Sequence, residues 1–406
     1  MSLDEQEPEQ TPSEPIEAAE QPAAPAAAPE IFEGIDDVDV SDNVAEEDEV
    51  PAGVYLTPRR LLVIIAIVLG VVLIALIIFL LLSMRDNPSA RVADNSAGGI
   101  KAELVIEGPG RGANPTFNRP MGVAWSVRGD YVYVADSENN RICIFARDGR
   151  FIREFGGFGI AKPTAGAKAT WKPGLLNYPV DVAVDRDDNL YVADFYNDSI
   201  SVFSRNGSFL RRFPDPTKPV GKGSSGADGK GVAVTAVDVE GDYVYATDGY
   251  QIVVFTLEGK YVRQFGKPGT ARGALDRPNG VVALKDGTVV VSDSNNNRVQ
   301  AFSPAGNPLW TAGSRIPVER KVAPSASLIL PRGITVVNDE SLLVADPLAQ
   351  QLTEISLEGE LGAHYGTRGT EPAEMNFPND CDWVRSRIVI ADRENNRVQI
   401  VRLVKK

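Results

Sequence analysis

Cysteine and histidine are nearly absent from this chain. Two cysteines, Cys143 and Cys381, stand far apart and form none of the close spacings of a zinc or redox site, and they make no disulfide framework. The single histidine, His364, excludes a site built on several imidazoles and weakens most enzyme readings. Positive charge is missing from the N-terminal segment: Met1 to Pro58 holds 17 Asp and Glu and no Lys or Arg. The rest of the chain then carries 38 acidic against 41 basic residues, so the net charge of −14 belongs to the tail. A near-neutral body disfavours wholesale binding of a phosphate backbone, although a local basic patch remains compatible with it.

What is present divides the chain into four parts. Residues 1–58, rich in Glu, Pro, Ala and Gln, lack the apolar surface needed to fold and read as a disordered acidic tail. Within it, the apolar residues set among acids from Ile31 to Val44 read either as solvated spacer or as a docking motif. Residues 59–84 read as a transmembrane helix, because Leu61 to Leu82 is uncharged and its helical length of roughly 33 Å matches a hydrocarbon core of ~30 Å. A cleaved signal peptide should be shorter and nearer the N-terminus. Arg59 and Arg60 precede the run and Arg85 and Arg91 follow it, so the closer pair favours a cytoplasmic N-terminus. Residues 85–99 read as a polar linker and 100–406 as the folded domain.

In that domain a pattern recurs six times: Pro, an apolar strand, a turn, a second strand ending in Asp, then Asn-x-Arg or a variant. The closing residues are Asp136, Asp194, Asp248, Asp293, Asp346 and Asp392, spaced by 58, 54, 45, 53 and 46 residues. Each repeat predicts four short strands whose two faces are both apolar, as blades stacked around an axis require. The sixth repeat ends at Arg402 without a fourth strand, and Ala102 to Ile106 can supply it, closing the ring.

Pro278-Asn-Gly-Val-Val282 with Ser292-Asp-Ser-Asn-Asn-Asn-Arg-Val299 resembles the NHL-repeat family, and the resemblance implies an all-β, six-bladed propeller. It is weakest after Asp248 and Asp346, where Asn-x-Arg is lost, so those loops should differ in shape. It also implies that loops between second and third strands share a face with the blade-to-blade connections.

On that face the aromatic residues Phe195, Tyr196 and Tyr250 replace the Ser, Glu or Asn of other blades. The long connections from Gly156 to Tyr178, Asp215 to Lys230 and Thr311 to Leu330 are further departures, the first bringing Phe158, Trp171 and Tyr178. These six aromatics form the candidate binding patch. Asp181 and Asp380 occupy a first-strand position held by Gly122, Gly280 and Gly333 elsewhere, with Thr235 assigned to it in the third blade; the two carboxylates are candidate ligands for a divalent cation in the central channel. The repeated Asp and Arg are expected to be structural, as is the turn Asp185-Arg-Asp-Asp-Asn189. Asn197 and Asn206 match the N-glycosylation pattern, which carries no weight by itself.

The expectation is a cell-membrane protein with an extracytoplasmic propeller that recognises a protein, peptide or glycan on its loop face, as a scaffold or sensor without chemistry of its own. The arrangement resembles membrane sensors with an NHL propeller outside, here without kinase motifs inside. Alternatives from other classes are a metal-dependent propeller enzyme of lactonase or lyase type, and a cytosolic RNA- or protein-binding domain if the topology is reversed. The amidating-lyase relatives need histidine ligands that this chain lacks, whereas a lactonase-like site would use Asp181 and Asp380.

Overall fold

The computed structural model describes residues 65–75, 90–92, 96–161, 168–218, 220, 231–313 and 328–404. The acidic tail therefore lies outside the described residues, as does most of the apolar run expected to span a membrane. The described piece of that run is helical over residues 65–75 and exposed along almost all of its length. Among the described residues no helix is long and apolar enough to cross a membrane.

From Ile100 onwards the structure is a six-bladed β-propeller. Blade one comprises Pro120–Trp125, Tyr131–Asp136, Arg141–Ala146 and Phe151–Gly156, and every neighbouring pair is antiparallel. Four further sheets of four strands follow in chain order. Blade six is assembled from both ends of the domain: Pro378–Val384, Arg387–Asp392 and Arg397–Leu403 are joined by Ile100–Ile106, with Val398 opposite Ile106 and Leu403 opposite Ile100. The expected closure is therefore present, and it removes an open edge from the sheet. Part of the stretch expected as linker is strand: Ala90–Val92 and Ser96–Ala97 pair with Ile100–Ile106 on its outer side.

Six apolar clusters fill the six blade interfaces. Val132, Val134 and Phe145 of blade one meet Val389, Ala391 and Val398 of blade six, for example, and Val253 and Phe255 of blade three meet Tyr191 and Ile200 of blade two. Each sheet thus buries both faces, which is why its strands are apolar on both sides rather than alternating. The two cysteines sit in different interfaces, Cys143 between blades six and one and Cys381 between blades five and six. A whole sheet lies between them, and both thiols are free and buried.

The repeated Asp and Asn-x-Arg act as internal clamps. Arg141, Arg298 and Arg397 each place Nε within 2.6–2.7 Å of the Asp that closes the preceding strand. Arg298 also donates to the carbonyls of Thr270, Ala271 and Ala274, so one guanidinium ties two strands to the incoming connection. The Asp accepts a backbone N–H from that connection, from Asn118 at 2.8 Å in blade one and from Asp276 at 2.7 Å in blade four. Blades three and five lack the Arg and also the short 3-10 turn at this corner, whereas blade two has Ser199 in place of the Arg and keeps the turn at Phe195–Asn197. Blade three turns instead through Gly249 and Tyr250, with Gly249 at φ 61°.

Candidate functional site

Each blade begins at the axis with its innermost strand, whose channel-facing N–H groups have no further strand to pair with. Side-chain carboxylates take up this role. Val123 N–H donates to Asp380 Oδ2 and Val237 N–H to Asp181 Oδ2, both at 2.8 Å. Trp125 N–H donates to Asp382 Oδ2 at 2.8 Å and Ala283 N–H to Asp238 Oδ2 at 2.7 Å. Each contact crosses from one blade to the next, so the channel carboxylates fasten blade six to one, two to three, and three to four.

Small residues before the Asp make the fit possible. A Cβ on Gly333 would lie 1.9 Å from Asp380 Oδ1, and one on Gly122 would lie 2.5 Å from Asp181 Cα. The alternation of Gly and Asp seen in the sequence is therefore a packing rule, with Gly admitting the Asp of the following blade. In blade three this position belongs to Ala236, whose carbonyl accepts Thr247 N–H, and Thr235 stands one residue nearer the loop face. The sequence assignment of Thr235 was displaced by one because that blade starts without its proline.

Packing four carboxylates around one axis raises their proton affinity. Burial, reinforced by Asp238 and Asp382, lifts Asp181 to about 7. Burial also lifts Asp238 to about 7, with Glu240 and Asp382 adding to it. Asp380 is held well above the usual carboxylate range by burial and by Asp181, and Asp382 is raised by burial. Asp181 is half-buried at the channel wall, with protein packed closely around it.

As cation ligands, Asp181 and Asp380 have other occupations. Both oxygens of each accept a backbone N–H, from Val182 and Val237 in one case and from Cys381 and Val123 in the other. Among the described residues no group of three or more His, Cys, Asp or Glu side chains is placed to hold a metal ion. His364 lies on the outer strand of blade five, where its Nδ1 is 3.1 Å from Gln351 Nε2 and from Thr353 Oγ1.

The loop face carries the richer site. Two adjoining cavities of about 460 and 170 Å³ open at the channel mouth and share Phe195, Thr235, Asn279 and Arg332. Tyr178 lines one and Tyr250 the other. The connections and the loops between second and third strands meet here: Tyr196 N–H donates to Asn177 O at 3.1 Å and Asn295 N–H to Asp276 O at 3.2 Å.

The predicted aromatic patch divides in two. Tyr178, Phe195 and Tyr196 form one cluster, with ring centroids 5.3 Å apart for Tyr178 and Tyr196 and 4.9 Å for Phe195 and Tyr196. Tyr250 joins it across the larger cavity. Trp171 instead packs on the outer strand of blade two, 5.7 Å from Phe209, with the Arg212 guanidinium 3.8 Å above its ring. Phe158, 58% exposed, bridges to Leu176 beside the same connection. Asn197 is fully buried and donates to Asp194 and Gly159 O, so that glycosylation match is a structural asparagine.

The residues at the mouth that the sequence did not single out are Arg332, Asn279 and Asn379. They follow the repeat proline directly, and a backbone bulge next to the proline turns Asn379 of blade six toward the mouth, as the matching bulges do for Met121 and Val180 of blades one and two. The residue before the proline is unusual too. Arg119, Tyr178, Arg277 and Phe377 all have φ between 47° and 62°, the left-handed region that bulky side chains rarely adopt. The backbone N–H of three of them is held by a neighbouring blade's amide: Asn396 receives Arg119, Asn140 receives Tyr178 and Gln350 receives Phe377, each at 2.8 Å. The same conformation before the proline in four blades makes it part of the repeat's corner geometry.

The NHL repeat family model matches residues 117–145, 176–203 and 275–302, each window running from a blade's incoming connection to its third strand. The chain carries NHL repeats. Human E3 ubiquitin-protein ligase TRIM32 is 31% identical over 144 residues, 34% of this chain and 21% of the ligase. The Drosophila melanogaster protein brain tumor is 28% identical over 162 residues, 39% of this chain and 14% of that protein. The chain thus spans about a fifth or less of the length of these two relatives. A crystal structure of a Bacteroides thetaiotaomicron protein of unknown function shares the propeller fold with a TM-score of 0.51 and 17% identity, covering 77% of this chain and 75% of that one. The clamped pairs Asp136–Arg141 and Asp293–Arg298 lie within the matched windows, as do Tyr178 and Phe195, whereas Tyr250 and Arg332 lie outside them.

Proposed function

We propose that this protein is a membrane-anchored binding or scaffolding module whose NHL propeller recognises a protein, peptide or glycan on its loop face, outside the cytoplasm. The observation that carries the reading is the aromatic-walled mouth of the channel, where Tyr178, Phe195 and Tyr250 converge beside the polar groups of Arg332 and Asn279. Concave sites with apolar walls and few oriented polar groups are where ligands bind. The apolar run from Leu61 to Leu82 supports the anchor, and Arg59 and Arg60 support a cytoplasmic N-terminus.

Two experiments test this function. The triple variant Phe195→Ala, Tyr196→Ala, Tyr250→Ala should lose partner recovery in a pull-down from solubilised membranes while its thermal unfolding stays cooperative; unchanged recovery removes the loop face as the binding surface. An impermeant protease applied to intact cells should remove a C-terminal tag and spare an N-terminal one. The reverse pattern overturns the extracytoplasmic assignment and turns the search to cytosolic partners, RNA included.

A further inference from the structure

Arg332 stands out among the charged groups of the channel mouth. It is half-buried, and none of the ion pairs among the described residues involves it. Its Nη1 donates to Asn379 Oδ1 at 2.9 Å, and its guanidinium lies 5.6 Å from the centre of the Phe377 ring. Nε is buried without a hydrogen-bond partner. Burial and the like charge of Arg393 lower its proton affinity to about 10, which leaves it charged at neutral pH. Asn379 is itself fixed, donating to Met121 O at 2.9 Å, so the cation is held in place by neutral groups alone.

A held guanidinium with no counter-charge is costly unless a ligand supplies one. We infer that the loop-face mouth takes a peptide carboxylate, an Asp or Glu side chain or a free C-terminus, against Arg332, with the flanking apolar side chain seated among Tyr178, Phe195 and Tyr250. A planar carboxylate matches the guanidinium fork, and a cavity of about 460 Å³ has room for it with one neighbouring side chain. An RNA backbone fits less well. The exposed Arg119 lies within reach of Glu138 and Glu394, and Arg393 is 3.1 Å from Glu394, so acids interrupt the basic rim. The mouth is a point site rather than a track for successive phosphates.

This inference rests on the loop-face reading, and the test separates the two. The full chain, in detergent, is probed with an array of random octapeptides, and the selected peptides are then remade with Asn or Gln for each acid and with an amidated C-terminus. The expected result is a selection rich in one acidic group beside an aromatic or aliphatic residue. Neutralising that acid, or introducing Arg332→Gln, should then weaken binding roughly 10- to 100-fold, and the two changes together should cost no more than either alone. The peptide change uses the unaltered protein, so the result stands even if the variant folds poorly. Selection of peptides indifferent to acid, but lost in the triple alanine variant, overturns the Arg332 inference and leaves the loop-face reading in place. Binding of poly(U) RNA with no peptide selected overturns both.

Discussion

A single buried ion pair shows how the repeat motif is used. Arg298 has Nε 2.7 Å from Asp293 and spends its remaining donors on carbonyls of the incoming connection, whereas Lys285 pairs with Asp339 where both side chains are exposed. Removing one partner of a buried pair leaves the other charge stranded, at a cost of about 3–5 kcal/mol. We therefore expect Arg298→Ala to lower the unfolding free energy measured by urea titration by that order and Lys285→Ala to leave it unchanged, because exposed pairs contribute little. Equal effects of the two substitutions would show that the clamp contributes no more than a surface contact. At the same scale, Gly333→Ala should be poorly tolerated, since its Cβ would fall onto Asp380 Oδ1. A variant combining it with Asp380→Gly should recover part of the loss in a thermal melt.

At the scale of the element, the decisive strand is Ile100–Ile106. It completes blade six beside Arg397–Leu403 and buries Ile100, Ala102, Val105 and Ile106, so the last blade depends on the first residues of the domain. Excising residues 96–106 from the chain should leave Val398 and its neighbours as an open apolar edge. The expected outcome is aggregation, with fast amide hydrogen exchange spread through blades five, six and one; protection confined to its original level would show that the ring closes without this strand. The strand was legible in the sequence because the sixth repeat is visibly one strand short. The flanking pairs at Ala90–Val92 and Ser96–Ala97 were not, because such brief segments have no repeat partner and no apolar alternation.

For the whole molecule, the channel couples stability to pH. Asp181, Asp194 and Asp238 are raised to about 7, chiefly by burial, above an unfolded value near 4. Between those values the folded state binds more protons than the unfolded one, so their contribution to stability is complete below about 4 and is lost as pH rises through about 7. The urea midpoint should therefore be higher at pH 5.5 than at pH 8, and Asp181→Asn with Asp238→Asn should narrow the gap. A larger gap in the double variant would place the titration elsewhere. Asp181 and Asp238 also fasten neighbouring blades, so their share of the pH response belongs to the ring, whereas Asp194 braces blade two and its incoming connection.

By itself the sequence determined the class of the fold, its six repeats, its closure and the structural role of Asp and Asn-x-Arg. These depend on local periodicity and on pattern repeated along the chain, which one sequence displays six times over. Tertiary structure alone decided how the variable residues group. It brought Tyr178, Phe195, Tyr196 and Tyr250 to one mouth and set Trp171 against Phe209 on an outer strand, because a residue's radial position depends on which strand its loop folds over. It also gathered Asp238 and Asp382 with Asp181 and Asp380, and left Arg332 without a carboxylate, since charges from different blades meet only where the innermost strands converge on one axis.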